Sequence, residues 1–332
     1  MATKRPSFGL TLPNRGVLFG ATTPAEMLEL AETAEASGAF DSIWVGDSIM
    51  AKPRLEAIIL LTAVAARTRR VRLGPACFAS FPLRHPVLLA YQWASLDLIS
   101  GGRTVMVACM GGGSKEAGGD FYNEFKSLGV PVGERAARME EGVQILRRLW
   151  SEDKVTFRGR FYQLEGATIA PKPAQRPVPI WIANNPQVFG VAEQVHSRAA
   201  DRVARLADGW MTTLVTPQGF RESWERVRTA LRAQERDPDR FPNCLYFNVH
   251  IGEDRARAFE ESKKFIDLYY TTDFPKETVD TWIAYGDVKA CADYINQFVE
   301  AGVQRFTLRL TAWDQKGQLR RVIEELMPRL LG

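Results

Sequence analysis

The chain repeats one unit, in which a short apolar run ending in glycine or polar residues is followed by a stretch with helical periodicity. Examples of the apolar runs are SIWVGDS at residues 42–48, TVMVACMGG at 104–112 and PIWIANN at 179–185. Their valine, isoleucine and leucine residues do not alternate with polar ones, which is typical of strands buried on both faces. The sequence therefore predicts a parallel sheet covered by helices, with polar groups where the strands end.

Eight such runs are predicted as strands, at residues 8–13, 42–47, 71–79, 104–110, 179–183, 209–214, 245–251 and 304–311. Helices are predicted at residues 24–37, 54–67, 85–99, 133–150, 197–207, 217–234, 256–270 with 288–301, and 316–331. A strand followed by a helix, eight times over, favours a closed (β/α)8 barrel over an open doubly wound sheet. We expect residues 1–332 to form one TIM-barrel domain, with an insertion at 111–178 after the fourth strand.

The composition argues against several classes of function. The 332 residues include 43 basic and 39 acidic side chains, and the basic ones are spread along the helices, so nucleic acid is not expected as a partner. Four cysteines without CxxC spacing indicate a reducing cytoplasm. No apolar run approaches the roughly 20 residues that span a bilayer. The three histidines lack metal-binding spacing, so neither a membrane segment nor a metal site is expected.

In a parallel barrel the functional site lies at the carboxyl ends of the strands, where the loops leading to the helices converge. The residues at these ends are mostly uncharged and small, which suits a flat ligand with a phosphate better than a metal ion. The GGGSKE motif at 111–116 resembles a phosphate-binding loop, although a flexible opening of the insertion is an equal interpretation. We expect the insertion and residues 269–287 to flank the substrate entrance.

Several residues near the strand ends allow two interpretations. His250 is the histidine best placed for acid–base chemistry, but a structural role fits it equally. Asp47 suits proton transfer or contact with a cofactor hydroxyl, and it also suits the N-cap of the next helix. Phe81 and Trp313 either wall an aromatic cleft or pack in the core. We assign catalysis to His250 and Asp47, and the substrate pocket to Ser48, Phe81 and Trp313.

The chain resembles the luciferase-like family of flavin-dependent monooxygenases and oxidoreductases. The matching segments occur in order over nearly the whole chain and are FDSIWVGDS (40–48), LTAVAARTRRVRLG (61–74), PLRHPVLLAYQWASLDLISGGR (82–103), RMEEGVQILRRLW (138–150), VTFRGRFYQL (155–164), PKPAQRPVPIWIA (171–183) and RVARLADGWM (202–211). The most specific of them are the HP pair with the helix that ends in LDLISGGR, and the proline-spaced run before PIWIA.

The resemblance implies a TIM-like barrel that binds reduced FMN (FMNH2) or the deazaflavin coenzyme F-420 at the strand ends. It also implies a non-proline cis peptide between Ala76 and Cys77, against which the cofactor ring lies. The residues it points to for cofactor binding are Ala76, Cys77, Met110, Gly111, Asn184, Asn185 and Ser197, the last three of them at the phosphate, where backbone donors and a helix N-terminus favour an anion.

Two positions depart from the family pattern. Ser48 stands where the sugar-phosphate dehydrogenases that use the deazaflavin have a histidine, which counts against that particular activity. Met110 stands where luciferase-type enzymes have an arginine that contacts the flavin phosphate, so the phosphate contacts stay open.

The leading hypothesis from the resemblance is a two-component monooxygenase. It would use O2 and FMN reduced by a separate NAD(P)H-dependent reductase to oxygenate a small organic substrate. The alternative is a hydride-transferring oxidoreductase that uses coenzyme F-420, and an alternative of another class is a non-catalytic flavin-binding protein. Family members pair through helices that follow the early strands. Since the segment 86–98 is apolar on more faces than a solvated helix, we expect a homodimer.

Overall fold

The computed structural model describes residues 6–112, 119–185 and 193–330. The strands are β1 (Ser7–Leu12), β2 (Ser42–Val45), β3 (Arg72–Pro75), β4 (Met106–Ala108), β5 (Val155–Arg158), β6 (Gln163–Ala167), β7 (Ile180–Ala183), β8 (Gly209–Thr213), β9 (Asn243–Ile251), β10 (Ile283–Gly286) and β11 (Arg305–Leu310). The α-helices are α1 (Pro24–Ser37), α2 (Ala57–Arg67), α3 (Pro86–Ser100), α4 (Phe121–Ser127), α5 (Arg135–Ser151), α6 (Glu193–Leu206), α7 (Pro217–Ala233), α8 (Arg255–Tyr270), α9 (Lys276–Trp282), α10 (Val288–Glu300) and α11 (Gln315–Arg321).

Eight of these strands form a parallel barrel in the order β3-β2-β1-β11-β9-β8-β7-β4. Single parallel bridges from Leu73 to Thr104 and from Phe78 to Ala108 join the two ends of this path. The predicted (β/α)8 TIM barrel is therefore confirmed, and each predicted strand overlaps one of the eight. Because all the strands run in the same direction, their carboxyl ends meet at one mouth.

The two places where the sequence departs from the repeat contain the helix α5, predicted at 133–150, and also α4, α9 and β10, which were not predicted. The insertion between β4 and β7 holds α4, α5 and the antiparallel hairpin of β5 and β6. Helix α4 has only seven residues and begins where the Asp120 side chain accepts a hydrogen bond from the Asn123 amide. Before the last strand, α9 leads into β10, which pairs with the far end of β9 outside the barrel path. Most of the GGGSKE motif lies outside the described residues.

Two helices begin elsewhere than predicted. Helix α2 begins at Ala57 instead of residue 54, because the Glu56 side chain caps it by accepting a hydrogen bond from the Ile59 amide. Helix α6 begins four residues before the predicted start, so Ser197 lies in its second turn and not at its N-terminus. The loop between β2 and α2 is therefore longer than predicted, and it crosses the mouth of the barrel.

The lumen of the barrel is filled below the mouth by two tryptophans. The rings of Trp44 on β2 and Trp181 on β7 lie 5.9 Å apart, with Val107 and Met211 in the same buried cluster. A side chain on the neighbouring strand has no room, since a Cβ placed on Gly9 of β1 would lie 2.4 Å from the Trp44 indole nitrogen. The filled lumen confines any ligand to the strand ends above it.

Candidate active site at the mouth of the barrel

One side of the mouth presents small, partly exposed residues, which we call the open half. They follow β3, β4 and β7, and they are Ala76, Cys77, Ala79, Cys109, Met110, Gly111, Gly112, Ala183, Asn184 and Asn185. None of these side chains is charged at neutral pH unless the thiol of Cys77 or Cys109 loses its proton. The structure therefore brings together six of the seven predicted cofactor residues; the seventh, Ser197, is exposed on α6.

The end of β3 has the backbone that the resemblance implies, since the peptide bond between Ala76 and Cys77 is cis. Hydrogen bonds tie this segment to both neighbours, from the Ala76 amide to the Val45 carbonyl and from the Phe78 amide to the Val107 carbonyl. The thiols of Cys77 and Cys109 hydrogen-bond to each other across β3 and β4. This hydrogen bond lowers the pKa of Cys109 and raises that of Cys77.

Two glycines after β4 allow the open half to stay flat. Gly111 has a φ of 76°, and a Cβ placed there would lie 2.8 Å from the Ala79 carbonyl oxygen. A Cβ on Gly112 would lie 2.2 Å from the Phe121 ring. Gly111 and Gly112 thus pack closely against the loop after β3 and against α4. At these two positions the rim presents backbone instead of side chains.

Asn184 at the end of β7 is engaged within the protein. Its side-chain amide nitrogen donates to the Ala199 carbonyl at 3.4 Å, and its side-chain oxygen accepts from the Trp210 indole at 3.2 Å. These bonds hold β7, β8 and α6 together. The predicted phosphate contacts of Asn184, Asn185 and Ser197 stay a prediction, and the Asn184 backbone amide already donates to the Met211 carbonyl at 3.1 Å.

Asp47 is buried and connects the loops after β2 and β3. One of its carboxylate oxygens accepts a hydrogen bond from the Ser80 amide at 2.7 Å, and the other lies 3.5 Å from the Arg84 guanidinium. Burial raises the pKa of Asp47, and Arg84 opposes that shift. The carboxylate therefore braces the strand ends, and it does not cap the helix that follows, which Glu56 caps.

Of the four other residues assigned from the sequence, Ser48 lies in the loop after β2, where its hydroxyl donates to the Glu124 carboxylate at 3.2 Å, and the remaining three lie away from the open half. His250 is buried, with Nδ1 3.0 Å from the Thr311 carbonyl oxygen and Nε2 3.8 Å from Glu261, and burial lowers its pKa. Phe81 is buried against Phe78 and against Gly142 of α5. Trp313 packs edge-on against Phe19 and Phe265. Core packing, the alternative that we left open for both aromatic residues, is what the structure shows.

The opposite side of the mouth, which we call the sealed half, is closed by aromatic residues from α8 and α9 around Arg309. The Arg309 guanidinium stacks 3.8 Å from the centre of the Tyr269 ring and donates to the Tyr270 hydroxyl at 3.0 Å. The hydroxyls of Tyr270 and Tyr246 are 2.8 Å apart, and the Trp282 indole lies edge-on to Tyr246. Arg309 is 1% exposed, so its charge is stabilised mainly by ring faces.

Lys52, in the loop between β2 and α2, lies where the two halves meet. Its ammonium is 4.8 Å from the centre of the Tyr270 ring and 5.0 Å from that of Phe121. The residue is 6% exposed. Burial lowers the pKa of Lys52 to about 7, and the nearby Arg54 and Arg15 guanidiniums act in the same direction.

Sequence reasoning did not identify Lys52, Arg309 or the two tyrosines. A signal for Arg309 was present, since Arg305, Thr307 and Arg309 alternate with apolar residues along β11 and so share the face of the strand that lines the lumen. No comparable signal marks Lys52, because its burial depends on Phe121 and Tyr270, which are distant in sequence.

Other site types find no support within the described ranges. The described residues contain no cluster of three or more histidine, cysteine, aspartate or glutamate side chains that is suited to a metal ion. The helices in the same part of the chain are all too short or too polar to cross a bilayer.

Comparisons with known proteins agree with this geometry. A family model described as luciferase-like monooxygenase matches residues 7–305. The chain is 28% identical over 338 residues to a protein from Kineococcus radiotolerans named coenzyme F-420-dependent glucose-6-phosphate dehydrogenase, covering 92% of this chain and 93% of that one. A solved coenzyme F-420-dependent secondary alcohol dehydrogenase superimposes with a TM-score of 0.80 at 20% identity, over 98% of this chain and 99% of the other. A monooxygenase from Streptomyces bottropensis superimposes with a TM-score of 0.79 at 22% identity, over 97% and 99% of the two chains.

Proposed function

Because the chain belongs to the luciferase-like monooxygenase family, we propose that this oxidoreductase uses coenzyme F-420 and takes a hydride from an alcohol carbon of its substrate. The leading expectation from the sequence was a monooxygenase that uses FMN. The relatives favour the alternative, since the full-length curated relative at 28% identity is named for coenzyme F-420. We do not propose glucose 6-phosphate itself as the substrate, because Ser48 replaces the histidine expected for that activity.

The observation that carries the proposal is the contrast between the two halves of the mouth. The open half is flat, uncharged and partly exposed, as a planar ring requires. The sealed half holds the buried Arg309 guanidinium among aromatic rings, and the buried Lys52 ammonium lies where the two halves meet. A hydride acceptor and an alcohol lying between them would be shielded from water on one side.

The residues present fit the ring of a flavin or a deazaflavin. Ala76, Cys77 and the glycines after β4 would hold it by backbone and small side chains, because a larger side chain at Gly111 or Gly112 would clash with the protein itself. When bound, coenzyme F-420 supplies a two-electron hydride acceptor. The protein orients the alcohol, excludes water and accepts the hydroxyl proton.

The test is to add oxidised coenzyme F-420 and reduced FMN, each in separate titrations, to the purified protein. Binding is followed by fluorescence, hydride transfer by the loss of absorbance of the oxidised deazaflavin with a panel of secondary alcohols, and oxygenation with an oxygen electrode. We expect binding of coenzyme F-420 and its reduction by an alcohol, without oxygen uptake.

Oxygen uptake that requires both reduced FMN and a substrate would overturn the proposal in favour of the monooxygenase. Binding of either cofactor without any turnover over the panel would favour the non-catalytic flavin-binding protein. A Gly112→Leu variant is expected to abolish binding of the ring, and Gly133→Ala, at a position with open space around it, is the control that is expected to leave binding unchanged.

A further inference from the structure

Arg54, in the loop between β2 and α2, lies at the mouth of the barrel above β2. Trp44 and Gly46 point to the same face of this segment, because side chains two residues apart share a face. The Trp44 ring fills the lumen, so the missing side chain of Gly46 faces the mouth above it. A Cβ placed on Gly46 would overlap Nη1 of Arg54. The Arg54 guanidinium therefore takes the space that a side chain at Gly46 would otherwise fill.

Two hydrogen bonds fix the Arg54 guanidinium at this place. Its Nε donates to the Lys52 carbonyl at 2.9 Å, and its Nη1 donates to the Tyr269 hydroxyl at 3.4 Å. The guanidinium carbon lies 5.2 Å from the centre of the Tyr269 ring, which is also the ring that Arg309 stacks against. Arg54 is thus held against the edge of the sealed half.

A second guanidinium, that of Arg15 after β1, lies beside the same loop. Its Nη1 donates to the Pro53 carbonyl at 2.5 Å, and its Nε donates to the Leu268 carbonyl at 3.3 Å. Pro53 directly precedes Arg54 in the chain. Burial and the charge of Arg54 lower the pKa of Arg15. The two cations therefore repel each other, and an anion bound beside them would relieve that repulsion.

Neither guanidinium is neutralised by a carboxylate in the described part of the chain, where no aspartate or glutamate oxygen lies within 4.0 Å of Arg15 or Arg54. Asp47 interacts with Arg54 at longer range, but its oxygens are already engaged with the loop after β3. The Nη2 group of each guanidinium has no hydrogen-bond partner among the described residues and is not buried. Each arginine therefore keeps N–H donors that a ligand can reach.

These donors adjoin the residues expected to hold the cofactor ring. Strands β2 and β3 are neighbours, and the Ala76 amide donates to the Val45 carbonyl at 2.8 Å. Gly46, next to the Arg54 guanidinium, is thus about one strand spacing, roughly 5 Å, from the cis peptide of Ala76 and Cys77. Strand β7, where the resemblance implies the cofactor phosphate, lies four strands from β1 in either direction around the barrel. The arginines are therefore placed for the substrate and not for that phosphate.

We propose that Arg54, together with Arg15, binds an oxyanion group of the substrate, a carboxylate or a phosphate. This inference rests on the proposed function and narrows the substrate to a small anionic alcohol, with its charged group a few bonds from the carbon that loses the hydride. The planar fork of N–H donors on a guanidinium matches the geometry of such a group. A neutral alcohol of the same shape leaves the repulsion between the two cations uncompensated.

The first test needs no cofactor. Binding of sn-glycerol 3-phosphate to the purified protein is measured by calorimetry at low ionic strength, with glycerol as the neutral reference. Arg54→Met and Arg15→Met are each expected to weaken binding of the phosphate compound about tenfold or more, because each removes charge-assisted hydrogen bonds.

Arg236→Met is the matched control for both variants. Arg236 is also part-buried, donates to the Ala204 and Ala207 carbonyls at 2.7 Å, and stacks 5.0 Å from the centre of the Phe241 ring. It lies between α7 and β9, at the amino ends of the strands, and so away from the mouth. Its substitution is expected to leave binding of sn-glycerol 3-phosphate unchanged.

The second test compares turnover of 3-hydroxybutyrate with that of its uncharged methyl ester in the presence of coenzyme F-420. Arg54→Met is expected to lower the ratio of the two kcat/KM values, acid over ester, about tenfold or more, mainly by raising KM for the acid. Arg54→Lys, which keeps the charge but loses the fork, should retain part of the preference. Added salt should raise KM for the acid in the wild-type protein and leave that for the ester unchanged.

The outcomes separate this inference from the proposed function. A wild-type protein that turns over acid and ester equally, and binds sn-glycerol 3-phosphate no better than glycerol, overturns the anion site alone. Loss of affinity for coenzyme F-420 in Arg54→Met, with an unchanged ratio of acid to ester, assigns the arginines to the cofactor and overturns the inference. Anion binding that depends on Arg54, without hydride transfer from any alcohol, overturns the proposed function and supports the site. If Arg54→Met does not fold, Arg15→Met and the salt dependence decide.

Discussion

The buried Lys52 ammonium destabilises the folded protein by an amount that depends on pH. The Lys52→Met substitution removes this destabilisation. Since the pKa falls from its ordinary value of 10.5 to about 7, the unfolded chain binds more protons than the folded protein between these values. Stability of the wild-type protein therefore rises with pH across this window, relative to a variant with no titrating group at this position. Below pH 7 both states are protonated and the whole cost is present.

The magnitude follows from about 1.4 kcal/mol for each unit of pKa shift. The free energy of unfolding of Lys52→Met, taken relative to that of the wild-type protein, should therefore fall by about 2.5 kcal/mol between pH 6 and pH 9. The assay is urea denaturation followed by tryptophan fluorescence at both pH values, with Lys172→Met as the control. Because lost contacts with Phe121 and Tyr270 affect both pH values equally, a difference between the proteins that does not change with pH would refute the reasoning.

Three further predictions concern other parts of the molecule. Glu124→Ala should lower the free energy of unfolding by about 3 kcal/mol in urea denaturation, since the part-buried amides of Ile49 and Met50 lose their acceptor, and Glu124→Gln, which keeps an oxygen, should lower it less. Of the four thiols, Cys77 and Cys109 should react first with a disulfide reagent, and Cys109→Ser should remove the fastest phase, because its pKa is lowered whereas the two core cysteines are buried. The homodimer expected from the sequence should dissociate in sedimentation experiments when Ile59 and Leu88, 71% and 55% exposed on α2 and α3, are both replaced by glutamate.

Each of these three has a clear contrary result. An Ala variant of Glu124 as stable as the Gln variant would mean that the loop amides find water instead. Equal reaction rates of all four thiols would contradict the hydrogen bond between Cys77 and Cys109. A wild-type protein that is monomeric at every concentration would remove the dimer expectation.

Periodicity predicted the barrel because the strands are locally recognisable. Most of the eight are runs of buried, largely apolar residues, each is followed by a helical stretch, and this pattern needs no knowledge of distant contacts. Strand β10 was missed because its four residues follow directly on α9, and pairing with the far end of β9 defines it. Helix α4 was missed because seven residues are too few for a clear period.

The site was predicted only as far as strand topology determines it. The residues after β3, β4 and β7 follow from the strand ends, and the structure places them together. Lys52 could not be predicted, since its environment is built by α4 and α8 and by the hydrogen bonds of Glu124. The packing of Phe81 against α5 and of Trp313 against Phe265 of α8 could not be decided from the sequence, because these contacts join residues that are distant along the chain.

The division of the mouth into an open and a sealed half has a consequence for how this protein can diversify. On the sealed side, changing one ring disturbs stacked neighbours and a buried cation at once. The open half consists mostly of short, partly exposed side chains that lie above the packed core. Larger or smaller residues at positions such as Met110 therefore change the shape of the ligand site with little effect on stability. New substrate ranges are therefore most accessible to evolution, and to engineering, along that one arc of the rim.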